Sequence, residues 1–147
     1  MKTMKTSSMG NLKDIPLHAC TSEAVTHDVR VEVESKFAPE YSETFRHMWR
    51  FIYTIRITNE GDERVKLVGR HWFITVATGH VEEVEGDSVV GENPSLGPGE
   101  SFQYTSWCEL TTSSGVMKGS YQMLSPGGDR FDVEIAPFAL QEPYTVH

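Results

Sequence analysis

Apolar and polar residues alternate along most of this chain with a period of two, the repeat of an extended strand that buries one face and wets the other. Val25, Val29, Val31 and Val33 share one parity while Asp28, Arg30, Glu32 and Glu34 fill the other, which reads as one half-buried strand. Phe51, Tyr53, Ile55 and Ile57 repeat the pattern against Arg50, Thr54, Arg56 and Thr58. Asn59-Glu60-Gly61-Asp62 then supplies turn chemistry, because Asn and Gly accept positive φ cheaply. A strand begins near Val65, and its apolar parity switches between Leu67 and the Trp72, Ile74, Val76 series. Gly69 sits at the switch and predicts a β-bulge.

Thr78-Gly79 predicts a tight turn into His80–Glu85, followed by a Gly- and Pro-rich connection from Gly86 through Pro94 to Pro98-Gly99. Phe102, Tyr104, Ser106 and Cys108 alternate again, with Trp107 on the opposite face. Met117, Gly119, Tyr121 and Met123 form the next period-two run. Ser125-Pro126-Gly127-Gly128-Asp129 is a hairpin loop by composition, and Phe131, Val133 and Ile135 mark the last clear strand. Helical periodicity comes nearest over Glu40–Trp49, where Pro39 and sparse apolar residues leave a helical turn and an irregular connection both open. The expected fold class is all-β, an immunoglobulin- or fibronectin III-like antiparallel β-sandwich of seven to eight strands. No repeat or linker interrupts it, so residues 14–147 read as one domain behind a disordered segment 1–13.

Composition narrows the partners. A chain of 147 residues can bury roughly 70% of its unfolded surface without a stapling metal or disulfide. A net charge of −8 with no basic run disfavours nucleic acid and anionic membranes. The start, Met1 to Gly10, is basic but lacks an apolar core, so it does not read as a signal peptide; Met4 and Met9 are alternative starts to Met1. No apolar stretch approaches the ~20 residues of a membrane helix. Cys20 and Cys108 are expected as reduced thiols in a cytoplasmic protein.

Several contiguous stretches resemble the ApaG family. They are Arg70-His71-Trp72, Val89 to Pro94, Leu96 to Ser106, Gly115 to Met123 and Arg130 to Phe138, with the strands from Val25 to Ile57 also similar. The resemblance implies a fibronectin III-like sandwich and a genetic association with cobalt and magnesium efflux. Related domains in eukaryotic F-box proteins and a polymerase-δ-interacting protein imply an interaction role.

Four candidate sites follow. Members of that family often carry G-x-G-x-x-G in the connecting loop, which suggests pyrophosphate binding; here the loop reads Gly86-Asp87-Ser88-Val89-Val90-Gly91, with Ser88 in place of the second glycine. Gly86, Ser88 and Gly91 are therefore the phosphate-loop candidates. A dinucleotide loop needs a following helix N-terminus, which Pro94 and Pro98-Gly99 oppose, and Glu85, Asp87 and Glu92 repel phosphate. The glycine-punctuated strand connection is the favoured reading of these residues. Metal is the second candidate. His71 and His80 fall about 20 Å apart if Thr78-Gly79 is the hairpin turn, too far to share an ion, and His18, His27, His47 and His147 lack ligand spacing. Asp87 and Glu92, within the acidic cluster of Glu82, Glu83 and Glu85, are the candidates for weak Mg²⁺ or Co²⁺ affinity, against a plain solvated edge. Ser106, Cys108 and Ser88 are the nucleophile candidates, yet none stands in a nucleophile elbow, and small inner-layer residues are the favoured reading. Finally, Trp49, Trp72, Trp107, Tyr41, Tyr53, Tyr104 and Tyr121 exceed what a sandwich core must hold; most should be core, and a minority left exposed near an edge strand would make a protein-interaction patch or a dimer seam.

The leading expectation is a non-enzymatic interaction module with no resident cofactor, engaging a protein partner or forming a homodimer through a sheet face or edge. The alternative is a sensor binding a divalent cation or phosphorylated nucleotide through the Gly-rich acidic loop. A hydrolase of nucleotide pyrophosphates stands third.

Overall fold

Period-two alternation folds here into two antiparallel sheets packed face to face. The computed structural model describes residues 20–143, so the segment 1–13, His18, His147 and the alternative starts lie outside the described residues. The strands are β1 Thr21–Thr26, β2 Val29–Phe37, β3 Trp49–Asn59, β4 Val65–Val76, β5 Val81–Gly86, β6 Ser95–Leu96, β7 Ser101–Leu110, β8 Ser114–Leu124 and β9 Arg130–Gln141. One sheet has the order β1-β2-β3-β7; the other runs β5-β4-β8-β9, with the two-residue β6 paired to the start of β4. The fold class is that read from the sequence, with nine strands among the described residues rather than seven to eight. No helix among the described residues is long and apolar enough to cross a membrane.

Part of the higher count comes from one misread strand. Val25 and Val29 belong to different strands, joined by a two-residue turn at His27-Asp28 in which both φ are positive. Such a turn pairs Thr26 with Val29 and Val25 with Arg30, so residues of equal parity in the sequence land on opposite faces. Val29, Val31 and Val33 enter the core while Val25 is 48% exposed. The bulge expected at Gly69 is present as a register shift between Leu67 and Gly69. Residues 40–49 resolve into two 3₁₀ turns, Pro39–Tyr41 and Thr44–Arg46, before β3 begins at Trp49.

The inner faces interlock through Val31, Phe51, Tyr53, Ile55 and Ile57 of one sheet and Leu67, Trp72, Met117, Tyr121, Met123, Val133 and Ile135 of the other. Tyr53 and Trp72 meet edge to face across the sandwich at 5.7 Å, the arrangement aromatic quadrupoles favour. Gly119 lets β8 approach β4, since a Cβ there would collide with the His71 carbonyl.

The two lateral sides of the sandwich differ. On one side β9 is tied to β1 and β2: Ser22 Oγ donates to the Ala136 carbonyl at 2.9 Å and Ser35 Oγ to the Ala139 carbonyl at 2.6 Å, while Thr26 Oγ1 accepts the Glu134 N–H at 3.1 Å. On the other side the sheets end in β5 and β7, which pair with β4 and β3 and with no further strand among the described residues. That side is open.

Candidate functional site: a cleft between two free strand edges

Between β5 and β7 the sheets enclose a cleft of about 540 Å³. Strand alternation supplies its walls: Tyr104, Ser106 and Cys108 from β7, Glu82 and Val84 from β5, Arg70, Trp72 and Ile74 from β4, and Tyr53 from β3. Ser88, Val89, Val90 and Gly91 of the connecting loop close one end.

Arg70 is the cationic group in this wall, half-buried and laid across β5. It stands opposite Gly86 in the β4–β5 register, and a Cβ at Gly86 would lie 2.6 Å from the central guanidinium carbon. The glycine thus serves close approach by a side chain, since its φ is not in the left-handed region. Arg70 Nη1 donates to the Ser88 carbonyl. Among the described residues no carboxylate forms an ion pair with Arg70.

Behind Arg70 the Tyr104 and Tyr121 hydroxyls share a hydrogen bond of 2.5 Å. Burial holds both phenols well above the ordinary tyrosine range, with the Arg70 charge opposing the shift at each. Tyr53 is raised by burial too, against the opposing pull of the Ser106 hydroxyl and Arg70. Burial, reinforced by the Glu82 and Glu109 charges, pushes the Cys108 thiol from 9.0 up to about 12, so at neutral pH it is a protonated thiol. Both cysteines are free. Ser106 and Cys108 are half-buried and share the inward parity expected of them.

The loop candidates separate. Gly86 ends β5, and Ser88 and Gly91 line the cleft. Val90 and Gly91 both carry positive φ, and reciprocal bonds between Val89 and Glu92 of 2.9 and 2.8 Å close a tight turn around them. The chain then runs into β6, so the loop joins strand to strand and presents no helix N-terminus to a phosphate. Asp87 and Glu92 are exposed. The donors that converge are His71, Glu83 and Glu85, whose ligand atoms lie within 4.8 Å of one another on the outer face of β4 and β5. His71 Nε2 is 2.5 Å from Glu83 Oε2, and Nδ1 is 3.8 Å from Glu85 Oε2, an imidazole–carboxylate pair that could also hold a cation. The spacing argument set His71 opposite Gly86; the register places it opposite Glu85, one residue earlier. With that register in hand, the alternation of Glu83 and Glu85 would have revealed the cluster.

At the rim of the cleft, to which Trp107 and Glu109 belong, and beside it, aromatic rings reach solvent. Trp72, Tyr53, Tyr104 and Tyr121 are core, whereas Trp107 is 58% and Tyr41 60% exposed. The Arg50 guanidinium stacks on the Trp107 ring at 4.5 Å and also pairs with Glu109 at 3.3 Å. A second hollow of about 410 Å³ lies beside them, lined by Ala38, Tyr41, Arg50, Ile52, Thr105, Ser106 and Trp107.

Comparison with known proteins places this architecture. The chain is 51% identical over 120 residues to Protein ApaG of Bradyrhizobium diazoefficiens, covering 82% of this chain and 92% of the relative. It is 50% identical over 126 residues to Protein ApaG of Anaeromyxobacter sp. strain K, covering 86% and 99%. The crystal structure of the ApaA protein of Bordetella pertussis superposes with a TM-score of 0.78 at 42% identity, over 82% of this chain and 98% of that one. The ApaG domain profile matches residues 39–125, from the 3₁₀ turns before β3 to the end of β8 and so through nearly every wall of the cleft, and the chain belongs to the ApaG family.

Proposed function

We propose that this chain is a non-enzymatic protein-interaction module that docks a partner along the free edge of β7. The observation that carries the reading is Trp107, more than half exposed on an unpaired edge and braced by Arg50. Trp, Tyr and Arg are the side chains that dominate binding energy at protein interfaces. An open strand edge offers main-chain N–H and C=O groups to an added strand.

The two free edges differ in how they receive one. β5 carries Glu82, Glu83 and Glu85, a density of like charge that repels edge pairing. β7 carries Glu109 alone among charged residues, and Arg50 neutralises it. An incoming strand therefore meets less resistance at β7. A module of this kind would act in the cytoplasm, and the link to cobalt and magnesium efflux implied by the family would run through its partner.

Site-specific photo-crosslinking tests this. Benzoylphenylalanine at Thr105, beside Trp107, should trap a discrete polypeptide in cells, while the same probe at Glu32, on the outer face of β2, should not. Trp107→Ala should weaken the crosslink at least about tenfold, as loss of an interface anchor does. A trapped species of twice the chain mass would make the partner a second copy of this chain. Equal crosslinking from both positions, or indifference to Trp107→Ala, would refute the proposal.

A further inference from the structure

The cleft beside the β7 edge contains a guanidinium whose donors are largely unused. Arg70 offers five N–H donors in a rigid fork. The structure engages Nη1 with the Ser88 carbonyl and, among the described residues, gives the side chain no carboxylate. Gly86 has no side chain to obstruct it, and the loop carbonyl fixes its direction. Space for a ligand is already present, since Arg70 shares one cleft with the hydroxyl-bearing Ser88, Tyr104 and Ser106. A half-buried guanidinium of this kind is complementary to an oxyanion, and bidentate pairing with a carboxylate is its strongest partnership.

The rest of the wall decides which oxyanion. Glu82 lines the same cleft and has no cationic partner among the described residues. It stands opposite Ile74, four residues along β4 from Arg70, or about 13 Å at the rise of a strand. Asp87 and Glu92 flank the loop outside it, while Glu109 at the rim is already paired with Arg50. A polyphosphate would satisfy Arg70 and be repelled by Glu82, Asp87 and Glu92. A single carboxylate carried with a positive charge further along the same extended chain would satisfy both poles. Residues two apart on an extended segment project to the same face about 7 Å apart, and a lysine side chain spans the remainder.

We infer that Arg70 is the anchor for one carboxylate of an extended peptide, and that Glu82 receives a basic side chain two residues further along it. This rests on the proposal that a protein segment docks at the β7 edge, and it names what that segment must carry. The ligand class is a peptide with an acidic-x-basic sequence, in place of a nucleotide or a free anion.

The test uses the full chain and follows the Arg70 Nε–Hε and Ser88 amide signals by NMR during titration with short capped peptides. Ac-Asp-Gly-Lys-NH₂ should move both signals, and Ac-Asn-Gly-Lys-NH₂ should not at the same concentration. Ac-Asp-Gly-Gln-NH₂ should bind about two- to fivefold more weakly, a loss in keeping with one solvent-screened ion pair. Glu82→Gln, an exposed substitution that leaves the core untouched, should erase that difference. In Arg70→Lys the Ser88 amide should no longer respond to Ac-Asp-Gly-Lys-NH₂, while the unfolding midpoint reports whether the variant is folded. Acetate or inorganic pyrophosphate binding as tightly as the peptide would overturn the inference in favour of a free anion, and silence of both signals toward every ligand would overturn it outright. A Thr105 crosslink that persists with silent Arg70 signals would remove this inference and spare the edge-docking proposal.

Discussion

The paired phenols behind the cleft make an asymmetric double-mutant cycle. Tyr121 is fully buried, whereas Tyr104 retains 8% exposure and lines the cleft, where water can reach it. Their hydroxyls are 2.5 Å apart, and each is the other's partner. Removing one leaves the survivor to meet the desolvation penalty, about 1–3 kcal/mol for a buried neutral group. Tyr104→Phe strands the Tyr121 hydroxyl in the core and should cost about 2–3 kcal/mol. Tyr121→Phe strands the Tyr104 hydroxyl at the cleft wall, where water replaces the lost bond, and should cost about 1 kcal/mol. The double variant removes both polar atoms and should lie within about 1 kcal/mol of wild type, well below the sum of the two single costs.

Urea unfolding with a shared slope resolves differences of this size, which correspond to several degrees in Tm for a domain this long. Two outcomes would refute the reasoning. If Tyr121→Phe cost as much as Tyr104→Phe, the cleft would not hydrate the Tyr104 hydroxyl. If the two single costs simply added, the pair would not be a closed hydrogen-bonded unit.

Three further expectations follow from Cys108 in the cleft and from the buried Asn59. The Cys108 thiol, with its pKa raised from 9.0 to about 12, should hold about 10³-fold less thiolate at pH 8 than an ordinary thiol of that reference value and react with a disulfide reagent at least about tenfold more slowly, measured in a Cys20→Ser background. Because the folded pKa lies above the unfolded one, Cys108 contributes stability that is intact below about pH 9 and is lost as pH rises towards 12; Cys108→Ala should flatten that part of the stability curve. Asn59 is buried, with Nδ2 donating to the Glu63 and Leu96 carbonyls at 2.7 and 2.9 Å and Oδ1 accepting the Gly61 N–H at 2.9 Å. Asn59→Ala should therefore cost about 2–4 kcal/mol in urea unfolding, and a loss below about 1 kcal/mol would contradict the assigned bonds.

What the sequence made legible was local. Alternation at Phe51 to Ile57 and at Phe102 to Cys108 announces strands because each residue's face is set by its immediate neighbours. The bulge near Gly69 was legible for the same reason, as a break in parity. The β1–β2 turn was hidden because His27-Asp28 lacks the usual glycine, and because a two-residue turn preserves sequence parity while inverting the face. Val25 therefore looked like core. The His71, Glu83 and Glu85 group was missed because cross-strand contacts depend on register, and a shift of one residue in the hairpin separates an imidazole from its carboxylates.

The cleft is less legible still, because its walls come from five strands and a loop that are far apart in sequence. Arg70, Ser88 and Tyr104 give no local sign that they share a space. What brings them together is the lateral asymmetry of the sandwich, in which serine and threonine hydroxyls tie one side shut while the other ends in β5, whose acidic residues disfavour pairing at that edge, and β7. The open side then exposes a charge that stability alone does not explain. A half-buried guanidinium without a carboxylate costs solvation free energy, and an apolar residue of similar length would fill the same space without that cost. Gly86 adds to the cost, since a strand glycine gives up both side-chain packing and chain entropy to let Arg70 cross. Two departures from what the core needs, meeting at one atom group beside a free edge, are the physical reason to place recognition there.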